Sequence, residues 1–371
     1  MGLTLFRCDT VYQLLGALSI KYYILHDETA DLMLTAATDF SRFLAPLKKE
    51  GLFRSIFLSP DSNFGNRTYQ DLDDEEQRGL VHNTEKYIYN TGCADAYADY
   101  YIGLTKQIYM KLFYYDMVRR GHKPRIHFYE DGLVSYVYNV FEDCKTDILD
   151  HESYPPEDRF ENNVAEVLLY SPDLYAGGET GIPINALPKL DPEDREFCRI
   201  LFRIFGSNPL PREKYIFLEE AFLKNRQLST DVRLLDGIAE VVGKENIIVK
   251  LHPRNVVDRF TPRGYKVLEA STIPWELTLL ESNMEDKVLL TISSTASVSA
   301  KIILKKECNS IWLYELMETC KAVHIRSANF KRFFQKMLIE VNRGRKNVFV
   351  PSTQEELKAL CTYFERRGIR V

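Results

Sequence analysis

Three short polar strings carry residue types suited to moving a group off a phosphate. Glu130-Asp131-Gly132 sets two carboxylates before a glycine. A carboxylate in a cleft takes a proton from a hydroxyl as a general base, and glycine permits the tight turn that would expose it. Asp-Gly is equally the signature of an ordinary turn. Lys250-Leu251-His252-Pro253-Arg254 places a lysine and a histidine two residues apart, on the same side of an extended strand. Pro253 ends the strand and restricts the backbone at His252. Histidine is the usual proton-transfer residue near neutral pH, so His252 can assist a leaving phosphate while Lys250 contacts a base or phosphate; a hydrogen-bonded histidine at a strand end is the other reading. Ser293-Ser294-Thr295 offers hydroxyls and amide groups at a helix start, which is an anion site. The same residues are common helix caps, and the two roles are compatible. A fourth string, Pro274-Trp275-Glu276, opens a predicted helix. Glu276 can accept bonds from ribose hydroxyls or complement the helix dipole. The strings GxxxxGK[ST], GxGxxG and HExxH do not occur. Lysine, histidine and hydroxyls are what a metal-free site for a nucleoside monophosphate leaving group would use.

Predicted strands precede three of these strings: Arg125–Tyr129, Ile247–Leu251 and Val288–Ile292, the last followed by a predicted helix from Ala296 to Ile303. In open α/β sheets, ligands bind beyond the carboxyl ends of strands. The first half reads as a strand at Leu3–Arg7, a helix capped by Thr10 and carrying Val11, Leu14, Leu15 and Leu18, a strand at Ala30–Thr35, a helix at Phe40–Glu50 and a strand at Arg54–Leu58. A polar loop over 61–85, a long aromatic-rich helix over Tyr100–Arg120, and a strand at Ala165–Tyr170 complete it. A stretch rich in Pro and Gly begins at 171, and a helix near Glu193–Phe205 bridges to the second half. There, strands at Tyr215–Leu218, Ile247–Leu251, Tyr265–Leu268, Val288–Ile292, Ser310–Tyr314 and Val348–Val350 alternate with helices at Asp231–Val242, Pro274–Glu281, Phe330–Val341 and Thr353–Arg366. That alternation predicts parallel βαβ units, in two domains spanning 1–195 and 213–371.

Composition agrees with this. A chain of 371 residues suits two domains. With 45% hydrophobic and 27% charged residues it reads as globular, and a net charge of −5 excludes a general nucleic-acid binder. The seven cysteines are scattered and form no CxxC, which predicts neither a disulfide framework nor zinc and points to a reducing compartment. No apolar run reaches membrane-spanning length. The start lacks the basic region of a signal peptide and has Phe6 where myristoylation wants a hydroxyl. A cytoplasmic protein, at most peripheral at the inner face of a membrane, is expected. Basic clusters at Arg119–Lys123, Lys305-Lys306 and Arg343–Lys346 read as solvated surface or as contacts to anionic lipid.

At these strings the chain resembles the bacterial sialyltransferases and polysialyltransferases, above all glycosyltransferase family 52. The acidic-acidic-Gly string is Glu130-Asp131-Gly132, the His-Pro string is His252-Pro253, and the Ser-Ser string is Ser293-Ser294-Thr295, in the family's order. The opening Thr10–Leu15 is also similar. The resemblance implies a GT-B fold, with two Rossmann-like domains facing across a cleft: an acceptor-binding domain first and a CMP-sugar-binding domain second. It implies inverting, metal-independent transfer of sialic acid from CMP-sialic acid, without a cofactor, to a glycan acceptor such as a galactose-terminated one in capsule, lipooligosaccharide or exopolysaccharide synthesis. Asp131 or Glu130 would be the base and His252 would assist the phosphate. Ser293, Ser294 and Thr295 would hold the phosphate, with Lys250 and Pro253 beside the nucleotide and Glu276 near the ribose. Some members use an acid after the first strand of the second domain, so Glu219 and Glu220 compete with Asp131. Some relatives are dimers. A CMP-Kdo transferase, a CDP-glycerol-type polymer transferase and a non-catalytic glycan-binding protein are the rival readings.

Overall fold

The computed structural model describes residues 2–59, 73, 75–76, 96–104, 108–132, 134–139, 154–220, 230–252, 255, 257–269, 273–317 and 327–367. Most of the expected loop over 61–85, and Pro253-Arg254, lie outside the described residues. The chain forms two compact units, Met1–Lys189 and Leu190–Val371.

Unit 1 runs β1 (Thr4–Cys8), α1 (Val11–Tyr23), β2 (Ala30–Thr35), α2 (Ser41–Glu50), β3 (Ser55–Ser59), β4 (Asp99–Gly103), α3 (Ile108–Arg119), β5 (Arg125–Tyr129), α4 (Val134–Val137), β6 (Val164–Leu169) and β7 (Ile184–Ala186). Its sheet is ordered β3-β2-β1-β4-β5-β6-β7 and every pairing is parallel. The central strands β1, β2 and β4 are buried along their whole length, because helices cover both faces of a parallel sheet. As expected, the Thr10 side chain accepts the Gln13 N–H and starts α1.

The expected helix over Tyr100–Arg120 is in fact a strand and a helix. Asp99–Gly103 lies between β1 and β5 at the sheet centre, and the helix begins at Ile108. Tyr100, Tyr101 and Ile102 favour a pleated, packed surface, and the sheet position selects that preference. The three-residue edge strand β7 was not anticipated.

Unit 2 opens with α5 (Arg195–Phe205), started by the Asp194 carboxylate accepting the Phe197 N–H. It continues β8 (Tyr215–Leu218), α6 (Thr230–Val242), β9 (Ile247–Lys250), β10 (Lys266–Val267), α7 (Trp275–Glu281), β11 (Val288–Thr291), α8 (Ser299–Ile302), β12 (Asn309–Trp312), α9 (Ala328–Val341), β13 (Val348–Phe349) and α10 (Gln354–Arg367). The order β10-β9-β8-β11-β12-β13 repeats the pattern of unit 1: the chain winds outward from the first strand, then returns to its other side. The core packs Tyr215, Phe217, Val249, Leu290 and Ile311 of the strands against Leu235 of α6 and Leu357 of α10. Each such side chain contributes roughly 1.5–3 kcal/mol of burial. In the register, Leu218 sits opposite both Lys250 and Thr291, so β8, β9 and β11 end flush. The expected helix over Ala296–Ile303 breaks into one 3-10 turn, Thr295–Ser297, and the short α8 beyond Val298.

Candidate active-site elements

In unit 1 the residues after β5 divide by alternation. Glu130 turns inward and is 2% exposed. Its carboxylate accepts from Tyr12 Oη at 2.8 Å, from the Tyr170 N–H at 3.0 Å, and from Tyr136 Oη. A carboxylate so fully engaged ties α1, β5 and the chain after β6 together. Asp131 comes next, before Gly132 at φ 81°, a left-handed position that glycine adopts without strain. Its backbone N–H donates to Ser135 Oγ at 2.8 Å. Burial pushes the Asp131 carboxyl up to about 6, the Gln13 side chain bonding to it pulls the other way, and the charge of Asp9 adds to the rise. Asp9 stands at the tip of β1, next to the reversal of strand order between β1 and β4. Asp9 Oδ1 accepts from Arg7 at 2.8 Å and from Thr35 Oγ1 at 2.8 Å. Burial holds the nearby Cys8 thiol up at about 12 and Tyr129 well above its ordinary value, so both stay neutral. A carboxyl titrating near 6 is suited to general-base work near neutral pH.

In unit 2, the loops after β8, β9 and β11 interlock. Glu219 is 3% exposed; it accepts the His252 N–H at 3.0 Å and bonds Arg259 at 2.8 Å. Arg259 also grips Asp231 at 2.8 Å. Glu220 accepts the Ser293 N–H at 2.7 Å and Thr291 Oγ1 at 3.2 Å, and burial raises its carboxyl. The Ser294 N–H donates to Thr291 Oγ1 at 2.9 Å, and its side chain caps nothing. Lys250 Nζ lies 5.4 Å from the centre of the Trp275 ring, a cation–π contact. Burial lowers its affinity for a proton while Glu276 acts in the opposite direction. Trp275 Nε1 donates to the Ala296 carbonyl at 2.9 Å, and Ser299 Oγ reaches Glu276 Oε1 at 3.5 Å. Thus Lys250, Trp275, Glu276, Ser293, Ser294 and Thr295 are linked at one end of this sheet, with His252 attached through Glu219.

Two features escaped the sequence reading. One is the Asp9–Gln13 pair beneath Asp131. The other is an Asp-x-Asp string, Asp71-Leu72-Asp73, a pattern able to hold a divalent ion. Asp73 exchanges bonds with Glu76, and residues 71 and 72 lie outside the described residues. Among the described residues no group of three or more His, Cys, Asp or Glu is placed to hold a metal. The basic clusters are largely committed. Arg119 and Arg120 pair with Asp116, Lys123 with Asp158, Lys305 with Asp191 and Arg343 with Glu340, while Lys306 caps carbonyls at the end of α7. No described helix is long and apolar enough to cross a membrane.

No protein-family model and no curated protein matches the chain. Solved structures do. The chain is similar to Arabidopsis thaliana UGT89C1 complexed with UDP, at 10% identity over 100% of this chain and 91% of that one, TM-score 0.50. The same plant protein without that ligand gives 9% identity over 100% and 91%, TM-score 0.50. The chain has the GT-B fold. Two parallel Rossmann-like sheets of seven and six strands make it up, as expected from the alternation of elements. The neighbour's UDP is a property of that protein; the likeness extends to the GT-B framework.

Proposed function

We propose that this chain is a glycosyltransferase that moves sialic acid from CMP-sialic acid to a glycan hydroxyl with inversion and without a metal. The observation that carries the reading is the place of Asp131, held after the tip of β5 between Gly132 at φ 81° and Ser135, where burial pushes its carboxyl up to about 6. In the proposed step the acceptor oxygen bonds to the anomeric carbon while its proton passes to Asp131. The bond from that carbon to the phosphate oxygen breaks, and CMP leaves with the electron pair. His252 and the hydroxyls of Ser293, Ser294 and Thr295 donate to the phosphate as its charge develops. Lys250 supplies positive charge beside the nucleotide, and Glu276 accepts from the ribose. Glu130 holds the fold rather than the proton, since three donors already occupy it. The choice of CMP-sialic acid is supported by the order of Glu130-Asp131-Gly132, His252-Pro253 and Ser293-Ser294-Thr295, which matches the family 52 pattern. The acceptor in this reading is a galactose-terminated surface glycan.

A donor screen tests it. The chain is incubated with a galactoside and with CMP-sialic acid, CMP-Kdo, CDP-glycerol or a UDP-sugar, the last because UDP occupies the plant neighbour. Free nucleotide is measured with and without EDTA. The expected result is CMP release from CMP-sialic acid, unchanged by EDTA. Release from another donor alone would overturn the donor assignment, EDTA sensitivity would overturn the metal-free site, and no release from any donor would favour a glycan-binding protein.

A further inference from the structure

The chain leaving β8 is tied to the loops on both of its sides. β8 lies between β9 and β11, and Leu218 is level with Lys250 and Thr291, so Glu219 and Glu220 emerge beside the starts of both flanking loops. On the β9 side, both polar groups of the His252 backbone are held. Its N–H donates to Glu219 Oε2 at 3.0 Å. Its carbonyl accepts the Asn255 N–H at 2.9 Å, the i to i+3 bond of a turn. Asn255 Nδ2 in turn donates to the Glu220 carbonyl at 2.9 Å, so His252 and Asn255 are fastened to one dipeptide. Arg259 bonds the other oxygen of the first acid, Glu219 Oε1, at 2.8 Å. On the β11 side, Glu220 Oε1 accepts the Ser293 N–H at 2.7 Å and Thr291 Oγ1 at 3.2 Å. A continuous line of hydrogen bonds therefore runs from His252 through Glu219, Glu220 and Asn255 to Ser293.

We propose that Glu219 and Asn255 are positioning residues: together they pin the backbone of His252 to the tip of β8 and so set where its imidazole stands relative to Ser293, which Glu220 holds on the same tip. The inference rests on the reading of His252 and Ser293 as donors to one leaving phosphate. A hydrogen-bond donor to a developing charge works only where it is already aimed, and the His252 side chain inherits its aim from a backbone fixed at both its N–H and its carbonyl.

Two variants of the full chain test it, each made both in the wild type and in His252→Ala. Asn255→Leu removes the bond to the Glu220 carbonyl at similar volume and keeps the backbone bond of the turn. Glu219→Leu removes the acceptor of the His252 N–H; if that variant fails to fold, Asn255→Leu carries the test. The readouts on folded protein are kcat for CMP release from CMP-sialic acid and the urea midpoint. With His252 present, kcat is expected to fall about 10–100-fold in either variant. With alanine at 252, the same change should lower kcat by less than about two-fold further, because the group being aimed is already gone. A purely structural role would lower the urea midpoint alike in both backgrounds without this dependence of kcat on His252. Equal losses of kcat in both backgrounds, or no loss in either variant while His252→Ala is impaired, would sink the positioning role and leave His252 its part. Full kcat in His252→Ala would overturn the assignment of His252 and this inference with it.

Discussion

Both sheets wind in the same order, and both carry a pair of acids at their strand tips: Asp9 and Asp131 in unit 1, Glu219 and Glu220 in unit 2. One acid of each pair meets an arginine, Asp9 with Arg7 and Glu219 with Arg259, and burial raises the carboxyl of the other; the pairs differ in what bonds that second acid. In unit 2, Arg259 and backbone and hydroxyl donors absorb the negative charge. In unit 1, Asp9 is bonded to Arg7 and Thr35, while burial, with the charge of Asp9 adding to it, pushes the Asp131 carboxyl up to about 6. Strand order alone does not make a base; what surrounds the tip does. Breaking this contrast should hurt most at Asp131. Asp131→Asn is expected to cut kcat by about 1,000-fold, within the range for a lost general base, and wild-type kcat/KM should fall as pH drops through about 6. The same variant should melt at a higher temperature. With its folded value at about 6 against an ordinary 3.8, the carboxyl's contribution to stability is present below about pH 4 and lost as pH rises through 6. The melting difference should therefore be seen at pH 7.5 and vanish below pH 4. A pH profile and a pair of melts check both halves.

His252→Ala comes next. It removes a donor to the leaving phosphate but leaves the backbone N–H that Glu219 accepts, so we expect about a 100-fold loss of kcat with little change in melting. Arg259→Met should show the reverse profile. It strands Glu219 and Asp231, both buried, without their cation, and a broken buried pair costs about 3 kcal/mol. Urea unfolding of the variant checks this; an unchanged midpoint would show that the acids of unit 2 do not depend on that cation, and the contrast between the units would be lost.

How much of this was legible in the chain follows from the same physics. The strands Ala30–Thr35, Arg125–Tyr129 and Tyr215–Leu218 stand where the apolar runs placed them, because a parallel sheet buries both faces and leaves continuous hydrophobic runs. Tyr100–Arg120 reads as one helix because β4 and α3 are both rich in aromatics, and Gly103 is the one signal of the join. Glu130 and Asp131 are adjacent letters; only the tyrosines at 12 and 136, brought in by tertiary packing, tell the structural acid from the one whose proton affinity is raised. Gln13 reads as a polar residue on a helix. That its amide accepts the Asp9 N–H and lies against Gly103, about 90 positions away, is set by tertiary packing, and no local pattern encodes that meeting. Ser293 and Ser294 were readable as an anion site, but not that the protein's own Glu220 sits on the Ser293 amide.

Lys250→Met tests the nucleotide side at smaller scale. Lys250 rests on Trp275 and faces Glu276, so its loss should raise donor KM by about 10-fold, the worth of one partly buried charged contact, with kcat little changed. Equal losses in both parameters would place Lys250 at the reacting centre instead.

The smallest effect sharpens the comparison most. Glu220 accepts from the Ser293 N–H and Thr291 Oγ1, the kind of donors a phosphate would seek. A buried carboxylate there opposes an incoming anion by charge while holding the loop in shape. Glu220→Gln keeps an acceptor oxygen for the Ser293 N–H and removes the charge, so the loop should survive and donor KM should fall about two- to five-fold. Asp131→Asn, also an acid-to-amide change at a strand tip, should leave donor KM where it was and lower kcat. If Glu220→Gln lowers kcat and Asp131→Asn leaves it intact, the base sits in unit 2, and the roles assigned to the two pairs of acids exchange.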